Sequence, residues 1–549
     1  MEKSDLFTSM RAVAIILANL LLVAGTAGAG GPAAHDMQLV GTNDLQARST
    51  YQPTVHKYSS HKYILFAGHH ALDFQGEGNL PNGKLLPSFN PLTGQNELNG
   101  TSIVDVSDPR HPQYLFHLPV PNAPIGGPGG GAQMVRVCDG STLPTHNSKI
   151  YMLRTYATSA HEIWDVTSPS SPVGVRTVAG GNPVIGAQTG AKGALAGTHK
   201  SWWECDTGIA YIVGRRSNDT ADGWLGGNHI FIFDLSNPAD PKFLRDWAFD
   251  GQQPGAVIPP HFDKKTIPSI HGPISTGPAA GSIALAGATA ERVYFAYGTS
   301  SNGVMQIVDR TKLLPPAYGV GFTGVTCGSI SSTLTPPACT DFQTAENGRL
   351  IMNPDNGAHT SFPIGTITVP DFVTDTGNDD GTTRDIVVVT SEATANFCGP
   401  NQFRHLTFMT DVSNEGRPQS IATAQVPASE GDFCDRGGRF GPHATNEEFG
   451  PPFYQKLVFV SYFNAGVRAF DIRDPYNPVN VAFFIPSITA ATDFRCGPYQ
   501  GNPNVCVRVI QTNNVATDDR GYIYIVDRAN TGLHILQIVG DTKKIIQGD

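Results

Sequence analysis

A short phrase recurs along this chain and constrains the fold more than any other feature. In each copy, an apolar run ends in Asp and leads into a turn that contains Ser, Asn or Asp and often Pro. The clear copies have this Asp at Asp105, Asp165, Asp234, Asp309, Asp411 and Asp471, and a weaker seventh copy reaches Gln537. These positions are 60, 69, 75, 102, 60 and 66 residues apart. Self-similarity at such a spacing indicates one repeat architecture rather than two or three unrelated domains.

Each phrase belongs to a unit of several short strands. A run rich in β-branched and aromatic residues precedes it, as at 63–66 (YILF), and an outer strand such as 113–116 (QYLF) follows it. Seven antiparallel units of four strands predict an all-β fold, a seven-bladed β-propeller. The composition agrees, because 60 Gly and 41 Pro supply many turns and charged residues are only 15% of the chain. That profile excludes a coiled coil, a charged helix bundle and a charged disordered chain.

The two ends of the chain predict how the ring closes. The seventh unit has no obvious outer strand of its own, whereas 37–42 (MQLVGT) looks like an outer strand without a unit. We therefore expect the N-terminal segment, residues 30–50, to complete the last blade, and residues 51–549 to form the propeller. Such closure removes two exposed sheet edges. The competing interpretation is that 543–546 (KKII) supplies this strand.

The repeated Asp-turn-Pro phrase, with Ile-Val before it, resembles the LVIVD-repeat family of bacterial propeller proteins. The resemblance covers most of the chain after residue 29 and implies the propeller fold. It implies little about activity, because the family is mostly uncharacterised and propellers carry unrelated functions. The chain departs from the family through long insertions at 75–99, 313–356 and 374–383. We expect these loops to shape or cover one face of the ring.

The first 29 residues have the features of a signal peptide. Lys3 and Arg11 give a positive end, 12–24 is an apolar run broken only by Asn19, and 27–29 (AGA) is a cleavage site of small residues. An uncleaved anchor is the alternative. No later stretch approaches ~18 continuous apolar residues, so we expect no membrane span after cleavage and a periplasmic or secreted protein.

Eight cysteines fit an oxidising destination. The spacing predicts two local disulfides, Cys327–Cys339 and Cys496–Cys506, with Cys398–Cys434 and Cys138–Cys205 completing the set. No CxxC spacing occurs, which argues against thiolate zinc sites.

The start of the innermost strand in each unit lies beside the central channel of a propeller. The residues aligned there are Gln52, Gln133, His199, His271, His359, His443 and Asn514. Four consecutive units would each direct one imidazole into a shared space. Clustered imidazoles bind iron, copper or zinc, and without a carboxylate or thiolate ligand such a metal would take an anion, a hydroxide or an oxygen ligand at an open position.

Other residues are candidates for the surroundings of such a metal or for binding a substrate. They are Gln52, Gln133, Asn514, His70, Glu204 and Glu447. The alternative is that the histidines only satisfy backbone groups around the channel.

Two function classes remain. In the first, the four histidines hold a metal, and the protein is an oxidoreductase acting on a small organic molecule that enters from the rim. In the second, a metal-free propeller binds a protein, peptide or glycan. A net charge of −10 without a long basic run argues against nucleic acid as a partner.

Overall fold

A computed structural model describes residues 33–71, 88–121, 130–181, 195–216, 224–253, 257–258, 260–262, 266–277, 291–314, 345–375, 377, 381–399 and 403–548. The described residues form seven antiparallel sheets arranged as the blades of a β-propeller, which confirms the predicted fold class. Short helices lie between or after the strands. Those in the described residues are Leu45–Ala47, Arg310–Leu313, Pro370–Thr374, Ala428–Glu430 and Thr542–Gln547.

The blades are numbered along the chain. Blade 1 contains Thr50–Ser59, Lys62–His69, Gly100–Asp105 and Gln113–Pro119. Blade 2 contains Val135–Asp139, Ile150–Tyr156, Ala160–Asp165 and Val173–Gly180. Blade 3 contains Leu195–Ala196, Ser201–Trp203, Ile209–Arg216, His229–Asp234 and Lys242–Trp247. Blade 4 contains Ile270–Ser275, Arg292–Tyr297, Val304–Asp309 and Glu346–Ile351.

The remaining blades close the ring. Blade 5 contains Thr360–Thr368, Thr383–Thr390, Thr407–Asp411 and Gln419–Ala424. Blade 6 contains Leu457–Ser461, Val467–Asp471, Val479–Ile485 and Ala33–His35. Blade 7 contains Thr512–Thr517, Tyr522–Asp527, Leu533–Ile538 and Met37–Asn43. Two further hairpins pair Ser88–Asn90 with Gln95–Glu97, and Phe494–Tyr499 with Asn502–Arg508.

The repeated Asp has a structural role that explains its recurrence. In blade 1 the carboxylate of Asp105 accepts a hydrogen bond from the backbone N–H of Ser107 at 2.9 Å, and in blade 6 Asp471 accepts one from Arg473 at 3.1 Å. The corresponding Asp makes the same contact, to the residue two positions on, in blades 2, 3, 4 and 5. This local bond stabilises the turn that leaves the third strand of each blade.

The N-terminal segment closes the ring as predicted. Met37–Asn43 pairs with Leu533–Ile538 as the outer strand of blade 7. The competing interpretation is wrong, because residues 543–546 lie in the helix Thr542–Gln547. The same segment also supplies the outer strand of blade 6, where Ala33–His35 pairs with Val479–Ile485. Sequence patterns did not indicate this second contribution.

The innermost edge of blade 6 is irregular rather than a full strand. His443 donates its backbone N–H to the carbonyl of Ser461 at 2.9 Å, and Asn446 donates to Phe459 at 3.0 Å. Residues 443–446 therefore line the axis next to Leu457–Ser461 without forming a continuous ladder.

Apolar side chains fill the seams between neighbouring blades. Seven clusters of buried residues in the described part of the chain each combine side chains from at least two adjacent blades. One of them brings Leu65 of blade 1 against Tyr524 of blade 7, across the point where the chain ends meet. Burial on both faces of each sheet gives the described strands their near-continuous apolar sequences.

Disulfides were predicted at three places that the structure describes, and all three are confirmed. Cys138–Cys205 joins blade 2 to the segment after the inner strand of blade 3, Cys398–Cys434 joins two loops, and Cys496–Cys506 crosses the hairpin Phe494–Tyr499/Asn502–Arg508. Cys327, Cys339 and residues 1–29 lie outside the described residues. Among the residues described, no helix is long and apolar enough to span a membrane.

Candidate functional site: the axial histidine cluster

Four histidines meet at one end of the propeller axis, as the sequence predicted. His271 and His359 have their ring centroids 3.7 Å apart, and His359 and His443 are separated by 4.2 Å. The Nε2 atoms of His199 and His271 are 2.9 Å apart. The four residues come from the inner edges of blades 3, 4, 5 and 6, so the closed ring itself assembles the cluster.

Tyr51 lies at the centre of the cluster. Its hydroxyl oxygen is 3.4 Å from the Nε2 atoms of His199, His271 and His359. Burial, together with the charges of Glu392 and Glu447, raises the pKa of the Tyr51 phenol well above its ordinary value.

The alignment of the seven inner strands with one another placed Gln52, not Tyr51, at this position of blade 1, and that assignment is wrong. Pairing with the second strand shifts between Thr50 and Gln52, so Tyr51 is the extra residue of a β-bulge. The bulge turns Tyr51 towards the axis. Gln52 instead accepts a hydrogen bond from the side-chain amide of Asn514, so two residues aligned with the histidines pair with each other. Gln133 is buried two residues before the first strand of blade 2.

Backbone carbonyls fix the tautomers of two of the imidazoles. His271 donates from Nδ1 to the carbonyl of His359 at 2.7 Å, and His443 donates from Nδ1 to the carbonyl of Asn513 at 2.6 Å. A carbonyl only accepts hydrogen bonds, so Nδ1 carries the proton in both rings. The lone pair of each neutral ring is therefore on Nε2, the nitrogen available to a metal ion.

The imidazoles are neutral at physiological pH. Burial and the nearby charge of Lys200 lower the pKa of His199 to about 4. Burial lowers the pKa of His443 to about 3, although the charge of Glu392 opposes the shift. Burial also lowers the pKa of His271 and His359 well below the ordinary value. Neutral rings are the form that metals bind, and Nε2 of His271 and of His443 carries no proton that has to be displaced.

A carboxylate also belongs to the cluster, contrary to the expectation of imidazoles alone. The ligand atoms of His359, Glu392 and His443 all lie within 4.8 Å of one another, a group that could hold a metal ion. Glu392 accepts a hydrogen bond from Arg439 at 2.6 Å and lies 3.9 Å from Arg528. Burial raises the pKa of Glu392, but the charges of Arg439 and Arg528, the hydrogen bond from Arg439 and the nearby ring of His443 outweigh it and lower the pKa. This side chain is therefore an anion beside neutral imidazoles.

The position of Glu392 just after a second strand is the sequence signal that could have revealed it. Glu392 lies two residues after Thr383–Thr390, the second strand of blade 5. His70 and Arg528 directly follow the second strands of blades 1 and 7. The ends of these strands therefore form the face of the propeller that covers the histidines.

His70 lies beside the cluster, whereas its neighbour His69 points elsewhere. The ring of His70 makes a perpendicular contact with Tyr51 at a centroid distance of 5.3 Å, and its Nε2 is 3.4 Å from a guanidinium nitrogen of Arg528. His69 contacts Ser102 through Nε2 at 2.6 Å. Adjacent residues in a strand point to opposite faces, as expected for this pair.

The two glutamates predicted to surround the site have different positions. Glu204 does not contact the histidines, because it lies at the far end of the inner strand Ser201–Trp203. It forms an ion pair with Arg310 at 2.6 Å, which joins blade 3 to blade 4. Glu447 accepts a hydrogen bond from Lys200, the residue after His199, at 2.7 Å, and pairs with Arg136. Glu447 therefore holds the charged side chains of Lys200 and Arg136 next to the histidines.

Fold and site together define a seven-bladed β-propeller with disulfides and an axial cluster of histidines, one tyrosine and one glutamate. No family model and no curated protein sequence matches the chain. Solved structures similar to it include Raptor from Chaetomium thermophilum, at 8% identity and a TM-score of 0.47, with 92% of this chain and 30% of Raptor covered. Sqt1 from the same organism, bound to the N-terminus of ribosomal protein L10, is similar at 10% identity and a TM-score of 0.43, with 92% and 100% covered. The chain thus spans about a third of the length of Raptor, and at these TM-scores neither likeness carries an argument about function.

Proposed function

We propose that this protein is an exported metalloprotein in which the axial histidines hold a transition metal that oxidises a small organic molecule. The observation that carries the proposal is that three Nε2 atoms, from His199, His271 and His359, gather within 3.4 Å of one atom, the hydroxyl oxygen of Tyr51. Neutral imidazoles gathered in this way are a donor set for iron, copper or zinc.

Three features of the surroundings support metal binding. Backbone carbonyls hold the rings of His271 and His443 with Nε2 unprotonated, which is the usual way that proteins orient metal-ligating histidines. Glu392 adds a negative charge, which partly compensates a bound cation. Burial keeps water from competing for the ligands.

The oxidative part of the proposal is supported by the donor atoms. Among the metals that imidazole ligands suit, iron and copper change oxidation state, whereas zinc does not. The substrate would approach from the face formed by the ends of the second strands, where His70 and Arg528 lie next to Tyr51.

Export and family membership are part of the proposal. A signal peptide at residues 1–29 would deliver the chain to an oxidising compartment, which agrees with the three disulfides of the described residues. Membership of the LVIVD-repeat family is supported by the Ile-Val-Asp phrase and by the turns that its Asp residues stabilise.

The second candidate is a metal-free propeller that binds a protein, peptide or glycan. The hydrogen bonds from His271 to the backbone of blade 5 and from His443 to the backbone of blade 7 favour it, because they join blades without any metal. In this case the imidazoles are structural groups of the channel.

Metal analysis of the protein purified from its native host separates the two candidates. We expect about one equivalent of iron or copper per chain in the wild type, and a loss of most of it in His199→Asn and His359→Asn. His534→Asn is the matched control, because His534 is a buried histidine of blade 7 outside the cluster. Thermal unfolding of each variant shows whether the fold is retained. Wild-type protein without metal, which also takes up none from added iron(II) or copper(II), refutes the proposal, and zinc as the native metal refutes its oxidative part.

A further inference from the structure

We propose that Tyr51 is a ligand of the axial metal and completes a four-coordinate site with His199, His271 and His359. This inference rests on the proposed metal site and goes beyond it, because neither the alignment of inner strands nor the His359–Glu392–His443 group includes a tyrosine.

The distances around the Tyr51 hydroxyl are longer than those of ordinary hydrogen bonds. Protein hydrogen bonds from O–H and N–H groups typically span about 2.5–3.2 Å. The oxygen of Tyr51 is instead 3.4 Å from each of three nitrogens, and a phenol has one proton to donate. One donated proton does not account for three equal, long separations.

Metal coordination does account for them. Four ligands at about 2.0–2.1 Å from a tetrahedral metal are about 3.3–3.4 Å from one another. The three separations of 3.4 Å from Tyr51 match the edges of such a tetrahedron. The 2.9 Å between the Nε2 atoms of His199 and His271 is one compressed edge, with an angle of about 90° at the metal for these bond lengths. These four separations, three from Tyr51 and one between His199 and His271, therefore match four edges of a distorted tetrahedron of three nitrogens and one oxygen.

The position of Tyr51 is fixed from several sides. The bulge between Thr50 and Gln52 turns its side chain to the axis, and bulges often redirect side chains next to active sites. Its ring lies perpendicular to the rings of His70 and His443, at 89° in both cases. The amide of Asn513 donates to the Tyr51 carbonyl at 3.1 Å. A rigid ligand requires this kind of support.

The proton balance of the site is simple. On binding, the phenol O–H of Tyr51 breaks, the oxygen forms the bond to the metal, and the proton leaves to solvent. No electron is transferred in this step. The phenolate supplies a negative charge inside a set of neutral imidazoles, which offsets part of the charge of the metal.

Copper(II) is a direct probe, because phenolate ligation produces a visible charge-transfer band that imidazole ligation alone does not. We expect the full chain, loaded with one equivalent of copper(II), to show this band and resonance-enhanced tyrosinate ring vibrations. Tyr51→Phe should still bind copper through the histidines, on the order of 10–100-fold more weakly, and should lose the band. Tyr294→Phe is the matched control, since Tyr294 is also a fully buried tyrosine and lies in blade 4 away from the cluster.

The outcomes separate this inference from the proposed function. Bound copper with the band in the wild type and in Tyr294→Phe, but not in Tyr51→Phe, supports the ligand role. Bound copper that depends on His199 and His359 but gives no tyrosinate signal overturns it and leaves the metal site standing. A band that persists in Tyr51→Phe also overturns it. A chain that binds no copper, iron or zinc overturns both proposals.

Discussion

The substitution Glu447→Gln tests the charged layer that supports the axial cluster. Glu447 accepts a hydrogen bond from Lys200 at 2.7 Å and pairs with Arg136. The side chains of Lys200 and Glu447 are only 2% and 4% exposed. Removal of the carboxylate charge therefore leaves the ammonium of Lys200 inside the propeller without its anionic partner.

The size of the expected stability loss follows from the pKa of Glu447. Burial raises it, but the charges of Lys200 and Arg136 and their hydrogen bonds outweigh burial and lower the pKa from its ordinary value of 4.5 to about 2. By linkage, this difference corresponds to about 3 kcal/mol of stability. The loss of one partner from a buried ion pair typically costs about 3–5 kcal/mol, which agrees.

The dependence on pH has a definite sign. Because folding depresses the pKa of Glu447, its contribution is fully present above pH 4.5 and is lost as the pH falls towards 2. We therefore expect the stability difference between wild type and Glu447→Gln to be largest at neutral pH and to shrink across this window.

Thermal unfolding followed by circular dichroism measures the effect. With about 2.1 cal/mol/K of unfolding entropy per residue, a chain of 549 residues changes its Tm by about 1 °C per kcal/mol. Glu447→Gln should therefore lower the Tm by about 3 °C at pH 7. Lys200→Met combined with Glu447→Gln should recover part of the loss, because it removes the stranded cation.

Asp541→Asn is the matched control, since it breaks an exposed pair with Lys544 and should not change the Tm measurably. The reasoning is refuted if Glu447→Gln unfolds at the wild-type temperature at pH 7, or if the double variant is no more stable than Glu447→Gln alone.

Three further substitutions test other parts of the fold. Asp105→Ala removes the acceptor for the N–H of Ser107 and should cost about 1 kcal/mol in urea unfolding, whereas Asp105→Asn should cost less. Replacement of both Cys138 and Cys205 by Ser opens a link across 67 residues and should cost about 4 kcal/mol, measured without reductant. Burial and the charge of Glu447 raise the pKa of Glu448 to about 7, so its ionisation destabilises the fold as the pH rises from 4.5 to 7. Glu448→Gln should thus raise the Tm at pH 8 and leave it unchanged at pH 4; an equal shift at both would contradict this.

The architecture was predictable because a physical constraint repeats with the blades. Each third strand ends in an Asp whose side chain closes the following turn, so the same residue recurs in six blades. The outer strand Met37–Asn43 was recognisable because it looked like an outer strand that had no unit of its own nearby in sequence. Ala33–His35 was not recognisable, because a three-residue edge strand of Ala, Ala and His carries no such pattern.

The site was predictable only where the residue type itself was a signal. His271 and His359 were found because each is a histidine near the start of an inner strand, although His271, like Tyr51, is the extra residue of a bulge. Tyr51 escaped because blade 1 has no histidine at this point, and the alignment selected the neighbouring Gln52 instead. Glu392 escaped because it comes from a loop after the second strand, and the alignment considered only inner strands.

The cluster contributes to ring closure as well as to any chemistry, and this decides which measurement is informative. His271 is hydrogen-bonded to blade 5, His443 to blade 7, and Asn513 of blade 7 to the backbone of Tyr51 in blade 1. The loss of an axial imidazole therefore removes a contact between blades whether or not a metal is bound. Lower stability in a histidine variant agrees with both candidate functions and cannot separate them. Metal content and the tyrosinate signal do separate the two candidate functions, because contacts between blades alone produce neither of them.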